Sequence, residues 1–163
     1  MRGNLDTRLR KLDAGDYDML VLAAAGLRRL GFGGRISASV SLDECVPAPG
    51  QGIIAIEIRA DDAATRQAIV RINNDDAAHA LVAERALVTA LGGGCQMPIG
   101  GVAMTTAEDG LELQAVVASL DGARVIRYKK AGRRSDAAAL GREVAGELLK
   151  QGAAEILSEA RLA

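Results

Sequence analysis

The sequence predicts an α/β segment followed by a small α+β domain, two fold classes joined in one chain. Three observations carry this. Near the N-terminus a helical stripe of leucines leads into a short, continuous apolar run, the kind buried on both faces of a parallel sheet. Between residues 46 and 52, two prolines and two glycines interrupt all periodicity. Beyond residue 75 the pattern becomes one long helix, three strands divided by Asp-Gly pairs, and a second long helix.

Each element follows from local chemistry. Residues 7–12 have helical spacing, with Leu5, Leu9 and Leu12 on one face. Ala14-Gly15-Asp16 is the stop. Residues 17–24 form the apolar run, predicted as a buried strand, and 26–31 read as a turn or short helix carrying Arg28 and Arg29. Ser, Pro and Gly then accumulate in a connector over 36–52. A second strand is predicted over 53–58, followed by a helix capped at Asp61-Asp62 and reaching Ile72. Asn73-Asn74-Asp75 marks a domain boundary. Asp76 is expected to cap a helix to Leu91 that buries Leu81, Val82, Leu87, Val88 and Leu91. Three glycines at 92–94 end it, because glycine reaches left-handed angles without steric cost. Strands are predicted over 99–105, 111–119 and 124–130, with hairpin signals at Asp109-Gly110 and Asp121-Gly122. Ser135 is expected to cap a long helix in which Leu140, Val144 and Leu148 recur every four residues, and Gly152 to break it before a short terminal helix.

Composition narrows the function. Apolar residues make up 49% of the chain, enough for a buried core, but there is one Phe, there are two Tyr and there is no Trp. The core must be built from Ala, Val, Leu and Ile, and stacking on nucleic-acid bases is unsupported. Twenty basic and 21 acidic residues give a net charge of −1, which argues against a nucleic-acid binder. Two distant cysteines and one histidine support neither a disulfide scaffold nor a metal site. No stretch approaches the roughly 20 apolar residues of a membrane span, and the first residues lack a signal-peptide core. A cytoplasmic protein without a membrane partner is expected.

Four segments carry a resemblance. They are Arg2-Gly3-Asn4-Leu5-Asp6-Thr7-Arg8-Leu9-Arg10-Lys11-Leu12; Ala25-Gly26-Leu27-Arg28-Arg29-Leu30-Gly31; Pro49-Gly50-Gln51-Gly52 with the apolar run to Glu57; and Gly93-Gly94-Cys95-Gln96-Met97-Pro98-Ile99-Gly100. In this order and spacing they resemble the C-terminal portion of porphobilinogen deaminase (hydroxymethylbilane synthase). That family condenses four porphobilinogens head-to-tail into hydroxymethylbilane, releasing ammonia, on a cysteine-linked dipyrromethane. The resemblance implies that residues 1–46 correspond to the late part of the second, substrate-cleft domain, in a periplasmic-binding-protein-like fold. Residues 47–72 would be the hinge and return segment to the first domain, and 75–163 the α+β domain presenting the cofactor cysteine. It also implies that the family's catalytic aspartate belongs to an N-terminal half outside this sequence. No catalytic residue is therefore assigned here, and the chain alone is expected to be inactive. The family is typically monomeric. Strands over 1–72 would lack neighbours, so dimerisation or pairing with an N-terminal half is expected, whereas 75–163 should fold alone.

Read from the residues alone, Cys95 is either a small buried hydrophobe or an accessible thiol on a glycine loop. The resemblance implies the second, with the sulfur in thioether linkage to dipyrromethane. A thiolate suits this because it is a soft nucleophile able to trap the electrophile formed when porphobilinogen loses ammonia. Cys45 lies in no motif and is read as structural. Each pyrrole brings an acetate and a propionate, and guanidinium groups bind carboxylates bidentately. By the resemblance, Arg2, Gly3 and Arg8 contact the cofactor, and Arg8 and Arg29 the pyrrole substrate. Arg10, Lys11 and Arg28 read as surface charges. Gly50-Gln51-Gly52 reads as a hinge between lobes, and the basic run from Arg127 to Arg134 as a solvated strand edge. Two other functions compete: a non-catalytic carboxylate-binding or interaction module, and a cysteine hydrolase, which would need a histidine where only His79, on a predicted helix, is available.

Overall fold

The computed structural model describes residues 3–94 and 96–162, and the chain divides into two compact units, residues 1–41 and 42–163. In the first unit, helix α1 (Leu5–Asp13) buries Leu9 from its leucine stripe and ends at Gly15, whose φ of +79° suits glycine. Helix α2 (Ala24–Arg29) buries Leu27. A 3-10 turn follows over Gly33–Arg35, and Arg35 pairs with Asp13 at 2.5 Å. The strand expected over 17–24 does not form. This stretch runs without ladder hydrogen bonds and leaves Met19 77% and Val21 72% exposed. A strand exists only through a partner for its N–H and C=O groups, and among the described residues no second segment supplies one.

The second unit opens with a connector whose first half is seated on the domain that follows. The strand expected over 53–58 is also unpaired, with Ile54 82% exposed, for the same reason. Helix α3 (Ala63–Ile69) is capped by Asp62, which accepts from the Thr65 N–H at 2.9 Å, and runs into a 3-10 turn over Val70–Ile72. Helix α4 (Asp75–Ala90) is capped by Asn74, not Asp76. The Asn74 side chain takes the Ala77 N–H at 2.8 Å, while Asp76 pairs with Arg134 at 2.6 Å.

Strands β1 (Ile99–Thr106), β2 (Gly110–Ala118) and β3 (Val125–Arg133) form an antiparallel sheet in the order β1-β2-β3. Gln114 pairs with Val102 on one side and Lys129 on the other. Helix α5 (Ala137–Lys150) begins from a 3-10 turn over Arg134–Asp136, so the expected Ser135 cap falls inside that turn. Helix α6 (Ala153–Leu162) starts after Gly152, at φ +99°.

The core lies between the sheet and the helices. Leu111, Leu113, Ala115 and Val117 alternate along β2 and meet Leu87 and Leu91, Leu140, Val144 and Leu148, and Ile156 and Leu157. Tyr128 packs against this cluster, while Tyr17 of the first unit is 41% exposed. On α4 the buried stripe differs from expectation: Val82 is exposed, and Ala80, Ala83 and Glu84 are buried beside Leu87. The cause is the closeness of α5, since a Cβ on Gly141 would lie 2.3 Å from the Ala83 carbonyl oxygen. Only small side chains fit such a crossing.

Candidate functional site

The residues singled out in the sequence fall into two groups, one in each unit. In the first unit, Gly3 adopts φ +117° immediately before α1, and its carbonyl accepts from Arg8 Nε at 2.9 Å. Asn4 occupies the N-cap position, but its side chain makes no capping bond. Among the described residues no side chain caps the first-turn N–H groups of α1, which lie beside the half-buried Arg8, a pairing suited to a carboxylate. Arg29 ends α2 and is exposed. Arg35 is neutralised by Asp13, whereas Arg8, Arg10, Lys11, Arg28 and Arg29 have no ion pair among the described residues. Arg2 lies outside the described residues.

In the second unit, α4 closes in a Schellman motif. The Gly93 N–H donates to the Val88 carbonyl and the Gly92 N–H to that of Thr89, both at 3.0 Å, with Gly92 at φ +63°. Arg161, from α6, donates to the Gly92 carbonyl at 2.7 Å. Two residues further on, the Met97 N–H donates to the Gly94 carbonyl at 3.0 Å, and β1 starts at Ile99. Cys95 lies outside the described residues. Its described neighbours, Gly94 and Gln96, are both exposed, and nothing lies within 4 Å of a Cβ built on Gly94. These exposed flanks leave room for a bulky group the size of a dipyrrole.

Other expectations sort plainly. Cys45, read as structural, is an exposed free thiol, because it continues the exposed stretch of Asp43 and Glu44 rather than entering the core. His79 sits on α4 with Nδ1 2.7 Å from the Asp75 carbonyl oxygen, and no metal-ligating group of three is present among the described residues. In the basic run of β3, Lys129 pairs with Glu112 and Lys130 with Glu143. Among the described residues no helix is long and apolar enough to cross a membrane. Pro49, Ile53, Leu81, Arg85 and Val88 help to line an open groove of about 430 Å³.

Two residues escaped the sequence reading. Arg161 carried no signal, since its role depends on α6 returning to the end of α4. Glu84 did carry one: an acid at helical spacing with Ala80, Ala83 and Leu87 falls on the buried stripe.

Comparison with known families gives two matches in chain order. Residues 1–67 match the model described as porphobilinogen deaminase, dipyromethane cofactor binding domain. Residues 78–150 match the model described as porphobilinogen deaminase, C-terminal domain.

Proposed function

Since this chain belongs to the porphobilinogen deaminase family of tetrapyrrole-synthesis transferases, we infer that it serves in the head-to-tail condensation of four porphobilinogens into hydroxymethylbilane, with Cys95 as the covalent anchor. The observation that carries the reading is the glycine-terminated loop after α4, with exposed flanks on both sides of residue 95. When bound, dipyrromethane supplies the nucleophilic pyrrole end to which further rings are added. The chain's own residues hold and orient. Arg8, Gly3 and Arg2 take cofactor carboxylates, and Arg8 and Arg29 take those of the incoming pyrrole. Guanidinium groups suit this because they keep their charge at any working pH. The Schellman closure and Arg161 fix the approach of the chain to residue 95. On this reading, residues 1–46 would form the late part of the second domain, 47–72 the hinge and return segment to the first, and 75–163 the cofactor-cysteine domain of a cytoplasmic enzyme.

The chain on this reading anchors pyrroles through Cys95, and turnover by the chain alone is not expected. Its partner would be an N-terminal half pairing with the extended segments at 17–24 and 53–58. In its absence those segments favour self-pairing. The test is the intact mass of the denatured protein, as purified and after incubation with porphobilinogen or hydroxymethylbilane. Added dipyrromethane mass that is absent from Cys95→Ser supports the anchor. The same added mass on Cys95→Ser would refute it, and hydroxymethylbilane formation by the chain alone would overturn the expected inactivity.

A further inference from the structure

Glu84 is 4% exposed and sits on the inner stripe of α4 among Ala80, Ala83 and Leu87. No lysine or arginine pairs with it among the described residues. A buried carboxylate without a cation is costly unless strong donors meet it. Its two oxygens take two different backbone donors: Oε1 accepts from the Ala103 N–H of β1 at 2.8 Å, and Oε2 from the Gly50 N–H at 2.6 Å. A leucine would fill the space without that cost, so the carboxylate's distinctive property is that it joins these two segments.

The Gly50 donor is presented by a specific turn. The Gln51 N–H donates to the Ala48 carbonyl at 3.0 Å, with Pro49 second and Gly50 third at φ +79°. That is the type II arrangement, in which the third residue's N–H lies outside the turn's own hydrogen bond. The chain before the turn is also seated on the domain. Gln114 Nε2 donates to the Leu42 carbonyl at 3.1 Å, and the Gly101 N–H to the Pro47 carbonyl at 2.9 Å. Cβ atoms on Gly100 and Gly101 would lie 2.9 Å from the Val46 carbonyl oxygen and 3.3 Å from Pro49 Cγ, so glycines clear the seat. Beyond the turn the character changes. Among the described residues the backbone of 54–58 makes no hydrogen bond, and Ile54 and Ile56 are exposed.

We propose that Glu84 is a positioning residue that clamps the Pro49-Gly50 turn to the C-terminal domain, so that residues 42–50 move as part of that domain and bending is confined to 51–60. The glycine of this turn is then a fixed point, and the hinge expected at Gly50-Gln51-Gly52 begins only after it. This holds whether or not Cys95 carries a pyrrole.

Residue-resolved amide exchange on the full chain tests it. In the native protein the Gly50 amide should be protected like that of Ala103, while the amides of 54–58 exchange as free chain. In Glu84→Leu, which keeps the stripe apolar, and in Glu84→Gln, Gly50 protection should fall by about tenfold or more, the equivalent of one lost buried hydrogen bond. The amides of Leu113 on β2 and Ala145 on α5 should keep their protection. A merely structural Glu84 would lower all amides together, which overturns the proposal. So would a native Gly50 amide as fast as 54–58, or protection that survives both substitutions. If neither variant folds, the native comparison of Gly50 with 54–58 decides.

Discussion

At the scale of single residues, Gly141 shows two effects in opposition. Alanine is favoured over glycine in a helix interior by about 1 kcal/mol. Here its methyl would sit 2.3 Å from the Ala83 carbonyl oxygen and 2.8 Å from the Ala86 Cβ, neither of which is a flexible side-chain end. Overpacking of this kind costs about 1–3 kcal/mol and should win. Gly141→Ala is expected to lower the urea midpoint measured by circular dichroism, and a raised midpoint would mean that α5 can move away from α4. Caps were read from sequence with mixed success for a related reason. Asp62 stands next to a clear helical start and was legible. In the run from Asn73 to Asp76 every residue has capping chemistry, and the choice of Asn74 depends on where Asp76 finds Arg134.

Among elements, β3 and α5 are tied by Lys130 and Glu143, 2.8 Å apart. The hydrogen bond from Lys130 holds the Glu143 carboxyl below its ordinary 4.5, and the same bond raises Lys130 above its ordinary 10.5. The tie contributes fully between those two ordinary values. It is lost on the acid side as pH falls through the lowered Glu143 value, and on the alkaline side as pH rises through the raised Lys130 value. The difference in Tm between wild type and Glu143→Gln should therefore form a small positive plateau that collapses at both ends and shrinks in molar salt, since both side chains are well exposed. A difference independent of pH would show that the substitution acts through packing. Elements themselves were legible where they are self-sufficient. The hairpins at Asp109-Gly110 and Asp121-Gly122, and the stripe Leu140, Val144, Leu148, declared themselves because turn chemistry and helical period are local. The runs at 17–24 and 53–58 had strand composition, but pairing is not a property of one segment. The α4 stripe was misread at Val82 because close helix contact selects small residues, which hydropathy does not weigh. Of the candidate site, the glycine loop and basic residues were visible as motifs, whereas Glu84 and Arg161 act through contacts 34 and 69 residues away in sequence.

Across the whole molecule, burial is unevenly distributed. Every member of the hydrophobic cluster lies between Ala80 and Leu157, while among the described residues of the first unit Leu9 and Leu27 are the only buried apolar side chains. Resistance to proteolysis follows the free energy of local opening. A dilute protease should first cut within 1–72 and leave a lasting product containing 75–162. Survival of 1–72 with loss of the remainder would contradict this distribution of stability. The scarcity of aromatics has an optical counterpart. With no tryptophan and two tyrosines in the chain, ultraviolet fluorescence comes from Tyr17 in one unit and Tyr128 against the core of the other. Each unit thus carries one tyrosine, and with excitation at wavelengths that tyrosine absorbs and phenylalanine does not, Tyr17→Phe would leave an emission signal belonging to the C-terminal unit alone.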